Sequence, residues 1–145
     1  MAVVKKIVLI EFTPRQMFDL VDHVESYPEF LPWCGGTELL NRDELTTVAR
    51  IHINYHGIKA HFSTANEKHP PNRMLIRLTE GPFRHLDGMW MFVPLGETAC
   101  KIEFQLNYEF ASKLLEKAVG PVFSHIANTF VDSFVKRAEQ LYRKA

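Results

Sequence analysis

The decapeptide KIEFQLNYEF, residues 101–110, decides how the fold of this 145-residue chain is predicted. Its apolar side chains, Ile102, Phe104, Leu106, Tyr108 and Phe110, alternate with charged or amide side chains. Successive side chains of a β-strand point to opposite faces of a sheet. The decapeptide therefore predicts a strand with one buried face and one solvated face.

Residues 112–143 follow this strand and place apolar side chains at helical spacing throughout. At about 1.5 Å per residue, they predict a closing helix on the order of 45 Å long, with an apolar stripe wide enough to be buried against a sheet. Gly120-Pro121 interrupts the pattern. Because proline inside a helix removes a backbone hydrogen bond, we expect a bend or a two-part helix at this point.

A β-hairpin is predicted by ARIHINYHGIKAHFST, residues 49–64, which alternates on both sides of His56-Gly57. If these two residues form the turn, the apolar side chains of both strands fall on one face. The expected pairs are Tyr55 with Ile58, Ile53 with Ala60 and Ile51 with Phe62. The same register places His52 opposite His61 on the outer face.

Further strands are expected at residues 3–12, 37–41, 73–79 and 86–93, and Thr13-Pro14 predicts the start of a short helix. The connections between strands are too short for crossover helices, so the sheet should be antiparallel. The predicted fold class is α+β, a curved antiparallel sheet of six or seven strands wrapped around a long C-terminal helix. We expect one domain spanning residues 1–145.

Composition excludes several classes of protein. The 17 basic and 17 acidic residues cancel, which argues against a dedicated nucleic-acid binder, although basic residues of the last helix (Lys136, Arg137, Arg143 and Lys144) could contact RNA. Cys34 and Cys100 are too few for a disulfide framework and are expected to be free thiols in a reducing cytoplasm. The N-terminal apolar run is shorter than that of a secretory signal, and no segment is long enough to span a membrane.

Candidate catalytic groups are scarce on the predicted buried face. Its strand positions carry no His, Cys, Asp, Glu or Lys, so general acid or base catalysis has only phenols and a threonine hydroxyl to use. His52 and His61 could share a metal, but the pattern supplies no third ligand. Phosphate-binding loops and nucleophile elbows are also missing from the sequence. We therefore expect a binding protein, with an enzyme as the minority alternative.

The segment SYPEFLPWCGG, residues 26–36, concentrates large apolar side chains between two prolines. Pro28 and Pro32 disfavour regular structure, so the segment is expected to be irregular. Its aromatic residues either cover the core or rim an opening for an apolar ligand.

Three motifs in collinear order resemble the RatA and coenzyme Q-binding branch of the START-like, polyketide cyclase/dehydrase superfamily. They are HVESYPEFLPWC at residues 23–34, EGPFRHLDGMWMFVPL at residues 80–95, and CKIEFQLNYEF at residues 100–110 followed by the long helix. The resemblance covers essentially the whole chain. It implies a helix-grip fold with a hydrophobic tunnel between the sheet and the helix.

The resemblance implies two functions of different class. One is non-catalytic binding of ubiquinone or another polyprenyl lipid as a carrier or chaperone in respiration; no cofactor is then required, and the lipid is the bound ligand. The other is a RatA-type toxin that binds the large ribosomal subunit and blocks its joining to the small one. In either case we expect a cytoplasmic protein. The lipid-binding function would add transient peripheral contact at the inner face of the membrane for lipid exchange.

The predicted ligand-binding residues would line the tunnel and its mouth. Tyr55 and Tyr108 are the interior donors for a quinone carbonyl, and Phe30, Leu31 and Trp33 are expected at the mouth, near Phe83 and Gly120-Pro121. The remaining candidates are predicted to form the apolar wall: Phe62, Met74, Trp90, Phe104, Phe123, Ile126 and Phe130.

Overall fold

A computed structural model describes residues 1–143 and contains one antiparallel sheet of seven strands. The strands are β1 (Ala2–Ile10), β2 (Cys34–Arg42), β3 (Thr46–Tyr55), β4 (Ile58–His69), β5 (Arg73–Glu80), β6 (Phe83–Leu95) and β7 (Ala99–Phe110). Their order in the sheet is β1-β7-β6-β5-β4-β3-β2. The helices are α1 (Pro14–Asp22), α2 (Tyr27–Phe30) and α3 (Lys113–Tyr142). The predicted α+β helix-grip fold is confirmed.

The register of the β3–β4 hairpin is the one that the sequence predicts. Tyr55 pairs with Ile58 and His52 pairs with His61. His56 and Gly57 have φ values of 51° and 80°, as the two central residues of a type I′ turn require. Glycine adopts this conformation without strain, which explains its place in the turn.

The segment between α1 and β2 differs from the prediction. Tyr27–Phe30 forms the one-turn helix α2, with Pro28 in its first turn, where a missing N–H costs no hydrogen bond. The Tyr27 hydroxyl is buried and donates a hydrogen bond to the carbonyl of Val21, the penultimate residue of α1. The segment is therefore regular at its start and fixed to α1.

Helix α3 begins after Ser112, whose side chain accepts a hydrogen bond from the N–H of Leu115. It continues through Pro121 to Tyr142 as one element. Of the two expected alternatives, the two-part helix is therefore wrong, and the bend stays a prediction. Pro121 has no N–H, and the carbonyl of Lys117 therefore lacks the donor that an α-helix would give it. Of the basic residues predicted on this helix, Lys144 lies outside the described residues.

A polar cluster holds α1 and the segment after it against the sheet. The Asp22 carboxylate accepts hydrogen bonds from the Thr47 hydroxyl at 2.7 Å and the Lys68 ammonium at 3.3 Å. Arg42 donates to the Asp22 carbonyl at 2.8 Å and to both carboxylate oxygens of Glu25 at 2.7 Å. These bonds join the end of α1 to β2, β3 and β4.

Strand β1 is one edge of the sheet and has an unusual outer face. Val3, Lys5, Ile7 and Leu9 share one parity and are exposed, with Ile7 at 66% and Leu9 at 69% of full exposure. Along its hydrogen-bonded edge, β1 pairs with β7. Ala2 lies opposite Tyr108 at one end of this pairing, and Ile10 lies opposite Cys100 at the other.

Candidate functional site

The space between the middle of the sheet and α3 is occupied by aromatic rings. The ring of Trp90 on β6 lies 4.7 Å from that of Phe104 on β7 and 5.8 Å from that of Phe130 on α3, centroid to centroid. Phe104 and Phe130 are themselves 5.8 Å apart. Met74 and Ile126 are buried in the same core. These residues, predicted to form the apolar wall of a tunnel, are thus packed together in the core.

A second aromatic cluster lies nearer the beginning of α3. The Phe123 ring is the centre of this cluster and contacts four rings from the sheet. It lies 4.8 Å from Phe83, 4.8 Å from Tyr108, 6.0 Å from Phe62 and 6.2 Å from Phe110. Phe110 was not among the predicted ligand-binding residues, although the alternation of KIEFQLNYEF places it on the same face as Tyr108.

A cleft of about 540 Å³ opens at this second cluster. It is lined by Met1, Ala2, Tyr108, Glu109, Phe110, Glu116, Gly120, Pro121 and Ser124. Burial raises the pKa of the Tyr108 phenol, so the group stays protonated as a hydrogen-bond donor at neutral pH. The cleft therefore combines apolar walls with a phenol and with the carboxylates of Glu109 and Glu116, and it lies within the volume range of small-molecule sites.

A second cleft, of about 530 Å³, lies on the other side of the same helix segment. It is lined by Lys59, Ala60, His61, Glu80, Gly81, Pro82, Leu115 and Val119. The first turns of α3 therefore separate two openings, one towards β1 and β7 and the other towards β4 and β5. Gly120 and Pro121 lie at the inner end of this segment.

The predicted mouth residues lie elsewhere. Leu31 and Trp33 are buried and Phe30 is half-buried; the Trp33 ring lies 6.2 Å from that of Phe130, and the Phe30 ring 5.1 Å from that of Phe134. Phe130 is nine residues after Pro121, about 14 Å along a helix. The segment is therefore packed in the core beside the second half of α3 and does not rim an opening at Gly120-Pro121.

Tyr55 and Phe83 occupy different positions relative to the clefts. Tyr55 is half-buried at the end of β3, and its ring stacks on that of His125 at 5.6 Å and an interplanar angle of 5°. This contact ties the β3–β4 hairpin to α3. Phe83 is buried and stacks on Phe110, one of the residues lining the first cleft. The ligand-binding roles of these residues stay predictions.

The expectation that the buried face carries neither Lys nor Cys is wrong, because Cys100 of β7 and Lys68 of β4 are both buried. Lys68 lies opposite Met74 in the sheet, shares its inward face and is only 6% exposed. The alternation of residues 58–64, extended to Asn66 and Lys68, would have predicted this placement. Lys68 is paired with Asp22 near the end of α1, so it serves packing of that helix and does not line either cleft.

The outer-face histidines are engaged with carboxylates. The His52 and His61 rings are 5.7 Å apart; Nε2 of His52 lies 2.7 Å from Glu38, and Nε2 of His61 lies 3.8 Å from Glu80. Among residues 1–143, no three or more His, Cys, Asp and Glu side chains are grouped as metal ligands. Burial raises the pKa of Cys34, and it raises the pKa of Cys100 to about 11, so neither is set up as a reactive thiolate.

No helix in the described part of the chain is long and apolar enough to cross a bilayer.

The arrangement at the first cleft is suited to holding an apolar molecule with a polar end group, because the aromatic walls supply contact area and Tyr108 supplies one donor.

The comparisons with known proteins agree with this geometry. The model of the family described as polyketide cyclase/dehydrase and lipid transport matches residues 10–135. The ribosome association toxin RatA of Vibrio cholerae is 41% identical over 139 residues, which cover 96% of this chain and 96% of that protein.

Two further relatives are more distant. The mitochondrial coenzyme Q-binding protein COQ10 homolog B of Xenopus laevis is 25% identical, over 92% of this chain and 57% of its own length. The crystal structure of the ZhuI aromatase/cyclase from Streptomyces sp. R1128 superposes with a TM-score of 0.81 at 16% identity and covers 99% of this chain and 96% of its own, which shows the shared fold. The chain belongs to the polyketide cyclase/dehydrase and lipid transport family, and within it to the branch that holds RatA and the coenzyme Q-binding proteins.

Proposed function

We propose that this protein binds ubiquinone or another polyprenyl lipid at the cleft beside Gly120-Pro121 and carries it without catalysing a reaction. The observation that carries the proposal is the aromatic cluster around Phe123, which opens to solvent through a cleft lined by Tyr108. The family description includes lipid transport, and a relative is named as a coenzyme Q-binding protein.

The ligand would place its polar ring near Tyr108, within hydrogen-bond reach of the phenol. Its tail would follow the cleft, since the rings of Trp90, Phe104 and Phe130 already fill the centre of the molecule. Burying an isoprene unit from water would contribute about 3 to 4 kcal/mol, at about 0.8 kcal/mol per methylene. Transfer of the same unit from a bilayer to the cleft contributes almost no free energy, because lipid is already apolar. Exchange with a membrane is then nearly balanced, as a carrier requires.

Native mass spectrometry of the protein purified from a quinone-producing host tests the proposal. We expect a retained isoprenoid in the unmodified protein. Ser124→Phe should reduce its retention, because Ser124 lines the cleft and a phenyl ring would fill it. Asn128→Phe is the matched control, since Asn128 is exposed one turn further along α3 and does not line the cleft. Equal retention in both variants, or no lipid in any of them, would refute the proposed site.

A second candidate function is ribosome association. The observation that favours it is the 41% identity, over 96% of both chains, with a protein named ribosome association toxin. In this role the protein would bind the large ribosomal subunit and block its joining to the small one. Co-sedimentation with purified large subunits that survives moderate salt would support this role. Failure to sediment, together with no growth defect on overexpression, would count against it.

The basic residues of α3 are unevenly available for such a contact. Arg137 is already bound to Glu29 at 2.7 Å and lies over the Phe30 ring at 5.3 Å. Arg143 lies over the Phe12 ring at 5.2 Å. Lys136 is exposed, and no carboxylate of the described residues lies within 4.0 Å of its ammonium. Lys136→Glu is therefore the first variant to test for weakened ribosome binding.

A further inference from the structure

We infer that the first turns of α3 form a docking surface for the anionic face of a lipid bilayer. This docking surface consists of Lys113, Leu114, Lys117, Ala118 and Pro121, and the inference rests on the proposed lipid-carrier function. It places the site of membrane contact at the two clefts, and not at the segment 26–36, which the sequence predicted at the mouth of a tunnel.

The apolar part of the docking surface is a ridge on the outside of the helix. Leu114, Ala118 and Pro121 are spaced by four and three residues, share one helix face and are exposed. Leu114 is 78% exposed, the largest value among the exposed large hydrophobic side chains of the described residues. A leucine held in water at the end of a helix has no role in the core. It is suited to insertion among lipid headgroups.

The charged part of the docking surface is cationic. Among the described residues, no carboxylate lies within 4.0 Å of the ammonium groups of Lys113, Lys117 or the neighbouring Lys59. The nearby acidic residues are mostly occupied: Glu80 lies 3.5 Å from Arg50 and 3.8 Å from His61, and Glu109 lies 3.0 Å from Arg84.

Glu116 is the carboxylate in these turns, and no basic group of the described residues lies within 4.0 Å of it. The local charge is therefore one carboxylate and the three ammonium groups of Lys59, Lys113 and Lys117. This balance is complementary to anionic phospholipids.

Lys113 of the docking surface also opposes the electrostatics of its own helix. It is the first residue of α3, where the positive end of the helix dipole disfavours cations. An acidic or neutral residue would stabilise the helix better at this position. The placement of Lys113 is explained if it faces an external anionic surface.

The docking surface lies between the two clefts, so the contact would place the openings at the membrane. Glu116 and Gly120 line the first cleft, and Leu115 and Val119 line the second. An apolar ligand could then pass between bilayer and cleft without crossing water. The helical hydrogen bond missing at the Lys117 carbonyl weakens the connection between these turns and the rest of α3.

Sedimentation with vesicles tests the docking surface. We expect binding to vesicles of phosphatidylcholine with phosphatidylglycerol, and weaker binding to phosphatidylcholine alone. Lys113→Gln with Lys117→Gln should lower the partition coefficient roughly 30-fold on anionic vesicles, and Leu114→Glu about tenfold or more. These changes suit the start of a helix, so loss of binding cannot be attributed to an unfolded α3.

Leu45→Glu is the matched control. Leu45 is 70% exposed in the turn between β2 and β3, at the far end of β3 from the hairpin that contacts α3. It should leave vesicle binding unchanged. Equal loss in Leu45→Glu and Leu114→Glu would overturn the proposal. So would a double lysine variant that binds vesicles normally but no longer sediments with ribosomes, which would assign the lysines to an RNA surface.

The same samples are examined by native mass spectrometry. Retained lipid without vesicle binding would refute the docking surface and leave the carrier function standing. If the protein neither retains lipid nor binds vesicles, the carrier function is refuted as well.

Discussion

Replacement of Pro121 by alanine should stabilise the protein. Pro121 lies inside α3, is exposed, and leaves the Lys117 carbonyl without a helical donor. Proline within a helix costs about 3 kcal/mol. Proline also restricts the unfolded chain, and losing that restriction lowers the free energy of unfolding by about 0.4 to 1 kcal/mol, which offsets part of the gain. The free energy of unfolding should therefore rise by about 2 kcal/mol, and Tm by about 4 to 8 °C for a chain of this size.

Urea titration and calorimetry measure this change, and the slope of the urea titration should stay constant. Pro28→Ala is the control, because Pro28 is in the first turn of α2, where no backbone bond is lost, and its replacement should not stabilise. If the outer turns of α3 move during lipid exchange, Pro121→Ala should also slow transfer of a quinone from the protein to vesicles. A Tm that is unchanged or lower in Pro121→Ala would refute the assigned cost of the proline.

Three further changes test the packing of the molecule. Phe123→Ala removes the buried ring at the centre of the second aromatic cluster and should lower the free energy of unfolding by about 3 to 5 kcal/mol, measured by urea titration. Asp22→Ala leaves the buried Lys68 ammonium without its carboxylate and should cost about 3 kcal/mol; a loss under 1 kcal/mol would show that water replaces the pair. Arg42 hydrogen-bonds Glu25 and lowers the pKa of this carboxyl from 4.5 to about 2. The contribution of this pair to the free energy of unfolding is therefore complete above about pH 4.5 and is lost as pH falls towards 2. Glu25→Gln should therefore flatten the acid limb of the stability profile, and an unchanged limb would contradict this assignment.

Most of the fold could be predicted because both strands and helices carry strong periodic signals. The alternation in residues 49–64 fixed the register of the β3–β4 hairpin, since a shift by one residue would have exposed every apolar side chain. The limits of the strands were less accurate. Strand β6 begins at Phe83, ahead of the predicted residue 86, because turn-forming residues such as Gly81 and Pro82 obscure the start of the strand.

Long-range packing was the part that the sequence did not determine. Tyr27, Leu31 and Trp33 occur beside prolines, and the pattern of a proline-rich segment does not show whether its aromatic residues cover the core or surround an opening. The structure shows the first arrangement, because the second half of α3 supplies Phe130 and Phe134 as partners. The inward position of Lys68 follows from the alternation of its strand, but its partner Asp22 could not be predicted because it lies far away in sequence.

The exposed face of β1 has a consequence for the behaviour of the protein at high concentration. An edge strand with Ile7 and Leu9 in water is a template for pairing with another chain, and Lys5 is the charge that interrupts the apolar row. We expect the charge of Lys5 to disfavour fibril-like association. Removing its charge by acetylation would therefore promote aggregation of an otherwise native molecule.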